Sequence, residues 1–493
     1  MIRQSMTLIQ NFEKVFQEYY ELLKEPLSQA VFFYESVIIF YLIIANSLYI
    51  VIVIFGFLNA RKKFLTTQLS LDKRLIPLRS LTPISILMPA YNEEPTVVES
   101  VLSMLRVNYP EFEVIVCNDG SKDKTIEILV EAFELYPIRL NVPKVLPSQK
   151  VRQIYKSKKY KHLTVIDKNN GGKSDALNAA INYSSFPLIC CVDCDSLLDE
   201  TGLMSVAMPF FEEPEHTIAV GGVIRIANDT KIEFGRVVET KIPFRWLPMI
   251  QIVEYLRSFL VGRMGWDYIG CNTIISGAFG LFKKSAVVAV GGYNAKTVGE
   301  DFELLLRMHE YFLLHRQRYI IKFLPNPVCW TETPEDFKTL GNQRSRWQQG
   351  LAESLWNTRD LVFNPKAGRI GMVALPYLWI FELISAPLEI SGYIVLAIAF
   401  TFDLVTLDVA ILFFSASMFY GITLTLGAIF VEELTFRRYP RITDFIKLCL
   451  GAILEQFGFR QLHLYWRLRG MYRWLTGVQK WGDMKRTGFK KKT

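Results

Sequence analysis

From Ser36 to Leu58 the chain runs for 23 residues, "SVIIFYLIIANSLYIVIVIFGFL", without a charged side chain. A helix needs about 20 such residues to cross the hydrocarbon core of a bilayer, where lipid offers the backbone no hydrogen-bond partners and a helix satisfies its own. The run therefore predicts a transmembrane helix. "NARKKF" follows at once, and Arg61, Lys62 and Lys63 put that end on the cytoplasmic side. The preceding "MIRQSMTLIQNFEKVFQEYYELLKEP" is charged and amphipathic. It reads as a helix lying on an interface, because the apolar core of a cleavable leader is missing.

Apolar sequence returns beyond about Gly368. Val409–Val431, "VAILFFSASMFYGITLTLGAIFV", is a second clean span. Between them, "MVALPYLWIFELISAPLEISGYIVLAIAFTF" is interrupted by Glu382, Pro387 and Glu389 and reads as an interfacial helix kinked into a span over about 380–402. Three crossings leave the basic tail, "RLRGMYRWLTGVQKWGDMKRTGFKKKT", on the same side as Arg61–Lys63. A crossing by Phe445–Phe457 would carry that tail outside, so this stretch is expected to be interfacial or re-entrant. Composition agrees: 51% of residues are hydrophobic, yet the net charge is +8. The positive charge gathers beside apolar segments, which suits a lipid bilayer as partner and not nucleic acid. The seven cysteines show neither repeated zinc spacing nor a compact disulfide framework. That fits a reducing, cytosolic setting for the polar part.

The polar part, about 80–361, alternates short apolar runs with helical stretches. "ISILMPAYNEE", "FEVIVCNDGSKD", "LTVIDKNNGGKSDALNAAI" and "PLICCVDCDS" each read as a buried strand ending in polar, Gly-rich or acidic residues. Such alternation predicts an α/β domain with a mostly parallel sheet, whose ligands collect at the carboxyl ends of the strands.

Candidate chemistry lies at those ends. Asp119 follows a strand in "NDGSKD". Asp193 and Asp195, two apart in "VDCDS", fall on one side of an extended segment, and their mutual repulsion is relieved by Mg²⁺ or Mn²⁺, which completes its shell with substrate phosphates. Lys173 follows Gly171 and Gly172 at a helix start and supplies a point charge for a diphosphate. The P-loop spacing is absent, which disfavours a nucleoside triphosphatase. Glu300 and Asp301 open another helical pattern after Gly299, suiting either an N-terminal cap or, in Asp301, a general base for a hydroxyl. In "NQRSRWQQG", Gln343, Arg346 and Trp347 share a helix face at i, i+3 and i+4, while Arg344 and Ser345 point elsewhere. An arginine fork suits phosphate, and a tryptophan beside it offers a plate for a sugar ring. The five histidines, His309 among them, show no metal-ligand spacing and are expected to be structural or on the surface.

In order, "MPAYNEE", "NDGSKD", "NNGGKSDALN", "DCD", "GED" and "QRSRW" resemble the inverting, membrane-embedded family 2 glycosyltransferases, a group that includes cellulose, hyaluronan and poly-N-acetylglucosamine synthases. The resemblance spans about Ile84 to Gly350. It implies a GT-A fold, a mixed, mostly parallel sheet with helices on both faces, beside an α-helical transmembrane region. It further implies a UDP-sugar donor carrying glucose or N-acetylglucosamine, a growing polysaccharide acceptor, inversion, and extrusion through the membrane helices. Accessory secretion subunits and a plasma (inner) membrane location with a cytoplasmic catalytic domain follow from the same likeness. Carried over by position, Asp119, Lys173, Asp193, Gln343 and Arg346 would bind the donor, Asp195 the metal, and Glu300 and Trp347 the acceptor. Asp301 would be the base, although its motif reads Gly299-Glu300-Asp301 without the usual threonine. No cyclic-dinucleotide-binding domain follows the membrane region, so regulation of that kind in cis is not expected. The alternative is a non-processive enzyme adding one sugar to a lipid or short glycan.

Overall fold

A computed structural model of the chain describes residues 2–70, 81–233 and 236–478, with the side chains of 2–23, 64–70, 233, 236, 327, 328, 409, 413 and 416 left aside. The basic tail beyond 478 and the side chains of the amphipathic N-terminal segment thus lie outside the described residues.

The strands are β1 (Ile84–Ala90), β2 (Phe112–Asn118), β3 (Leu135–Ile138), β4 (Val151–Ser157), β5 (Leu163–Lys168), β6 (Leu188–Val192), β7 (Ser196–Leu198), β8 (Thr217–Ile226), β9 (Lys231–Glu233), β10 (Arg236–Glu239), β11 (Phe279–Lys283) and β12 (Ile320–Thr331). Ten of them form one sheet in the order β3-β4-β5-β2-β1-β6-β11-β8-β12-β7, and β9 and β10 form a separate ribbon. The central block β5-β2-β1-β6 is parallel throughout, as is the β8–β12 pair, and antiparallel pairs flank them. The sequence pattern singled out these central strands because they are buried on both faces and read as continuous apolar runs.

Side chains alternate across that block. Ile86, Met88, Val114 and Val116 enter one core with Val101 and Met104 of the Val97–Leu105 helix and Leu203 and Phe210 of the Gly202–Glu212 helix. Leu87, Ile115 and Ile189 face the other core, with Leu177 and Ile181 of the Lys173–Tyr183 helix and Leu304 and Met308 of the Glu300–Leu314 helix. Helices therefore cover both faces, as expected for the fold class.

Among the described residues three helical segments are long and apolar enough to cross a membrane, Lys24–Lys63, Ile370–Thr401 and Ala410–Thr435. The first belongs to a single helix, Ile2–Ser70, so the N-terminal segment and the predicted span are one rod. The sheet is joined to these helices. The first core runs on into Ala428, Ile429 and Val431 of the Leu407–Thr435 helix and into Leu448 and Ala452 of the Ile442–Leu454 helix. Buried Arg225 of β8 pairs with buried Glu432 at 2.6 Å. Ile442–Leu454 lies against the Trp246–Tyr255 helix through Gly451 and exposes Ile446, Leu450 and Ile453 on its other side, before the chain breaks helical geometry at Phe457 and Gly458.

Candidate active site

Four strand ends converge. At the end of β2, Asp119 is buried and its carboxylate turns inward. The Lys168 ammonium pairs with Oδ1, which also accepts from the Gly171 amide at 3.0 Å; Oδ2 accepts from the Gly172 amide at 2.7 Å and from Asn170 Nδ2 at 3.1 Å. Lys168, wholly buried, also reaches Asp175 Oδ1 at 2.6 Å. Burial pushes the Asp119 carboxyl above its ordinary range, and Lys168 opposes that. The carboxylate thus clamps the Asn170–Gly172 loop from beneath, with donors on both oxygens. Gly172 has φ +90° and ψ 168°, a conformation open essentially to glycine alone.

That clamp delivers Lys173, first residue of its helix, into a group of acids. Its Nζ lies 2.6 Å from Asp193 Oδ1, 3.2 Å from Glu300 Oε1 and 3.3 Å from the Gly277 carbonyl. Burial alone would lower Lys173, but the charges of Asp193 and Glu300 hold it well above the ordinary lysine range. Burial pushes Asp193 up to about 6; Lys173 opposes this and Asp195 adds to it. Asp301 Oδ2 accepts from the Gly277 amide at 2.8 Å and Oδ1 from the Phe302 amide at 2.9 Å, so the helix start aims the carboxylate. Burial and then the neighbouring Glu300 push Asp301 above its ordinary range, and Lys173 opposes this. A small cavity between them is lined by Lys173, Cys191, Gly277, Tyr293, Glu300 and Asp301.

All nine residues of "NQRSRWQQG" lie within the Phe337–Asn357 helix. Arg344 is buried and pairs with Glu254 at 2.7 Å, and the Ser345 hydroxyl donates to the Trp466 carbonyl at 3.0 Å. Gln343 and Arg346 are half-buried and Trp347 is 36% exposed. Gln343 Oε1 is buried with no hydrogen-bond partner. Arg344 is not remote from this face, since its guanidinium lies 4.1 Å from the Trp347 ring centroid.

Sequence reasoning missed Lys168, Glu254 and Arg263. Lys168 follows an apolar strand like any surface lysine, and nothing local marks it as the partner of Asp119. Arg263 is buried among apolar residues, where its chemistry shows only once Phe259 and Phe323 are seen packed on it.

Among the described residues no three His, Cys, Asp or Glu side chains gather as a metal site. A small hard cation held by substrate phosphates needs only one or two carboxylates. Asp195, buried in the turn just before β7, and half-buried Asp193 supply that oxygen set, Asp193 beside Lys173, so the residues fit Mg²⁺ or Mn²⁺.

A family profile described as "Glycosyltransferase like family 2" matches residues 82–350. A poly-beta-1,6-N-acetyl-D-glucosamine synthase of Staphylococcus epidermidis is 30% identical over 356 residues, covering 71% of this chain and 73% of the relative. The enzyme of the same name from Staphylococcus aureus strain COL is 31% identical over 329 residues, 66% of this chain and 67% of its own length. Among solved structures, the mannosyltransferase PcManGT from Pyrobaculum calidifontis, in complex with GDP-Man and Mn²⁺, aligns with a TM-score of 0.50 at 17% identity, over 84% of this chain and 99% of that one. At that identity the likeness speaks to the fold.

Proposed function

The chain belongs to the glycosyltransferase-like family 2, and from that premise we propose that it transfers N-acetylglucosamine from UDP-N-acetylglucosamine to the growing end of a β-linked polysaccharide. The observation that carries this reading is the junction of Lys173 with Asp193 and Glu300, one residue from Asp301. It brings a donor-side cation and the half-buried Asp301 carboxylate together in the lining of one small cavity. The relatives' poly-β-1,6-N-acetylglucosamine favours this sugar over glucose.

In this reading the acceptor hydroxyl loses its proton to Asp301 as its oxygen bonds to the anomeric carbon. The bond from that carbon to the UDP oxygen breaks from the opposite face, so one base suffices and the configuration inverts. Lys173, Gln343 and Arg346 bind the diphosphate, and Arg346 and Lys173 offset the charge that grows on it. Trp347 carries the acceptor's terminal sugar, and Glu300 holds Lys173 in place beside it. Asp119 serves the donor through the loop it clamps, shaping the nucleotide pocket from below. A divalent cation on Asp195, with Asp193 alongside, would neutralise the diphosphate as UDP leaves.

Residues 80–361 form the catalytic unit, which faces the cytoplasm at the plasma membrane, and the three apolar helices anchor it. The product leaves toward them. Arg467, which donates to Gln348 Oε1 at 3.1 Å and to Ser385 Oγ at 2.8 Å, gives a polar link from the Trp347 helix into the membrane region. The test is purified protein in lipid with radiolabelled UDP-N-acetylglucosamine or UDP-glucose and Mg²⁺ or Mn²⁺, with the product sized. A long polymer from UDP-N-acetylglucosamine supports the reading. Release of UDP with a single sugar added refutes processive synthesis, and no incorporation from either donor refutes the whole.

A further inference from the structure

Arg263 opens the short helix Arg263–Tyr268 and is 6% exposed. Its guanidinium carbon lies 4.3 Å from the Phe259 ring centroid and 5.6 Å from that of Phe323. Nη1 is buried without a hydrogen-bond partner, and among the described residues no carboxylate comes within ion-pair distance of it. A desolvated cation held only by ring faces is costly to keep, and buried polar groups left without partners in a native fold call for an explanation.

Its surroundings supply one. Phe259 reaches Trp347 at 5.9 Å between ring centroids, and Trp347 in turn carries Arg344. Arg344, Trp347, Phe259, Arg263 and Phe323 thus form one contiguous chain of contacts, with the tilted Trp347–Phe259 ring pair between the two cations. It runs from the Phe337–Asn357 helix to β12. The two arginines differ. Both have buried nitrogens without partners, but Arg344 is paired with the Glu254 carboxylate and so belongs to the framework, whereas Arg263 has no such carboxylate. Asp301 is the acid whose charge reaches Arg263 most strongly, and burial pushes the guanidinium down to about 10. A partner-less donor one ring away from the exposed Trp347 plate, and within reach of the Asp301 charge, suits a neutral ligand with an apolar ring face and hydroxyl or acetamido oxygens. That is a sugar.

We propose that Arg263 is an acceptor-binding residue: carried on the Phe259 ring, it donates hydrogen bonds to the terminal sugar of the acceptor glycan as that sugar stacks on Trp347, and so selects which hydroxyl meets Asp301. The assignment rests on the transferase reading above and adds a second contact to the acceptor side, from an element outside the six sequence motifs.

The experiment uses the full-length protein in lipid nanodiscs with UDP-N-acetylglucosamine, Mn²⁺ and a soluble β-1,6-linked N-acetylglucosamine trisaccharide as acceptor. Arg263→Met raises the KM for the trisaccharide at least tenfold, while the KM for UDP-N-acetylglucosamine and the thermal shift produced by UDP stay within twofold of wild type. Arg263→Lys keeps the charge but loses the fork, and lies between the two. An unchanged trisaccharide KM overturns the assignment. So does a donor KM that rises in step, which would place Arg263 on the diphosphate, or a fall in kcat alone in both variants, which would make its role structural. A wild type that transfers no sugar to the trisaccharide or to its own product overturns the transferase reading itself, and this assignment with it.

Discussion

Gly299 and Gly350 meet backbone to backbone: a Cβ added to Gly299 would lie 2.8 Å from the Gly350 Cα, and one added to Gly350 2.7 Å from the Gly299 Cα. One residue ends the loop before Glu300 and Asp301; the other lies three residues beyond Trp347. The contact sets the distance between the candidate base and the helix that carries the diphosphate and acceptor residues.

Gly350→Ala should therefore separate these parts without emptying the core. Because a misplacement of about 1 Å can cost about 100-fold in rate, kcat for sugar transfer is expected to fall by 10- to 100-fold, with donor binding retained. Parallel measurement of initial rates and of UDP binding checks this; a variant within twofold of wild type would show that the helices re-pack freely.

Asp301→Asn removes the proton acceptor and keeps the shape. General-base contributions are typically about 10²- to 10⁴-fold, and a loss in that range is expected in kcat, with the KM for the donor little changed. A variant that polymerises at the parent rate excludes Asp301 as the base.

Lys168→Met leaves the buried carboxylates of Asp119 and Asp175 without their cation. Breaking a buried pair from one side costs about 3–5 kcal/mol, so the apparent melting temperature in detergent should fall clearly. Lys168→Arg, which keeps the charge, should recover part of the loss. If the loop alone depends on this lysine, the variant will instead melt like wild type and bind UDP weakly.

Stability should fall on mild acidification through His309. Its Nε2 lies 2.7 Å from the Asn272 carbonyl and its Nδ1 2.7 Å from the Tyr319 hydroxyl, so the neutral ring donates from Nε2 and accepts at Nδ1. Burial pushes its pKa from 6.5 down to about 4. The folded state therefore resists a proton that the unfolded chain takes up below about pH 6.5. Its contribution is intact above that pH and is lost progressively as pH falls toward 4, by about 3 kcal/mol in all. Melting temperatures between pH 7 and 5 should drop in the wild type and drop less in His309→Gln; equal slopes would remove His309 as the cause.

Cation dependence separates Asp195 from Asp193. Asp195→Asn should raise the Mn²⁺ concentration for half-maximal transfer by at least tenfold, and chelation should end wild-type transfer. Asp193→Asn, which loses a partner of Lys173, should act mainly on donor KM. Equal shifts in both variants would mean that the two acids hold the cation together.

Much of this molecule could be read along the chain. The 23 uncharged residues of Ser36–Leu58, the apolar runs of β1, β2, β5 and β6, and the i, i+3, i+4 spacing of Gln343, Arg346 and Trp347 are properties of continuous segments. Period, length and end residues express them without reference to the rest of the fold, so spans, strands and strand-end acids were legible by themselves. The pairing of distant residues was not. That the Asp119 carboxylate is held by Lys168 and the glycine loop, that Gly299 abuts Gly350, and that Arg263 lies unpaired on Phe259 depend on which surfaces packing brings together. An aspartate after a strand looks the same in sequence whether its carboxylate faces a ligand or its own loop. Only burial and the supply of donors around it decide which, and those are set by the tertiary structure.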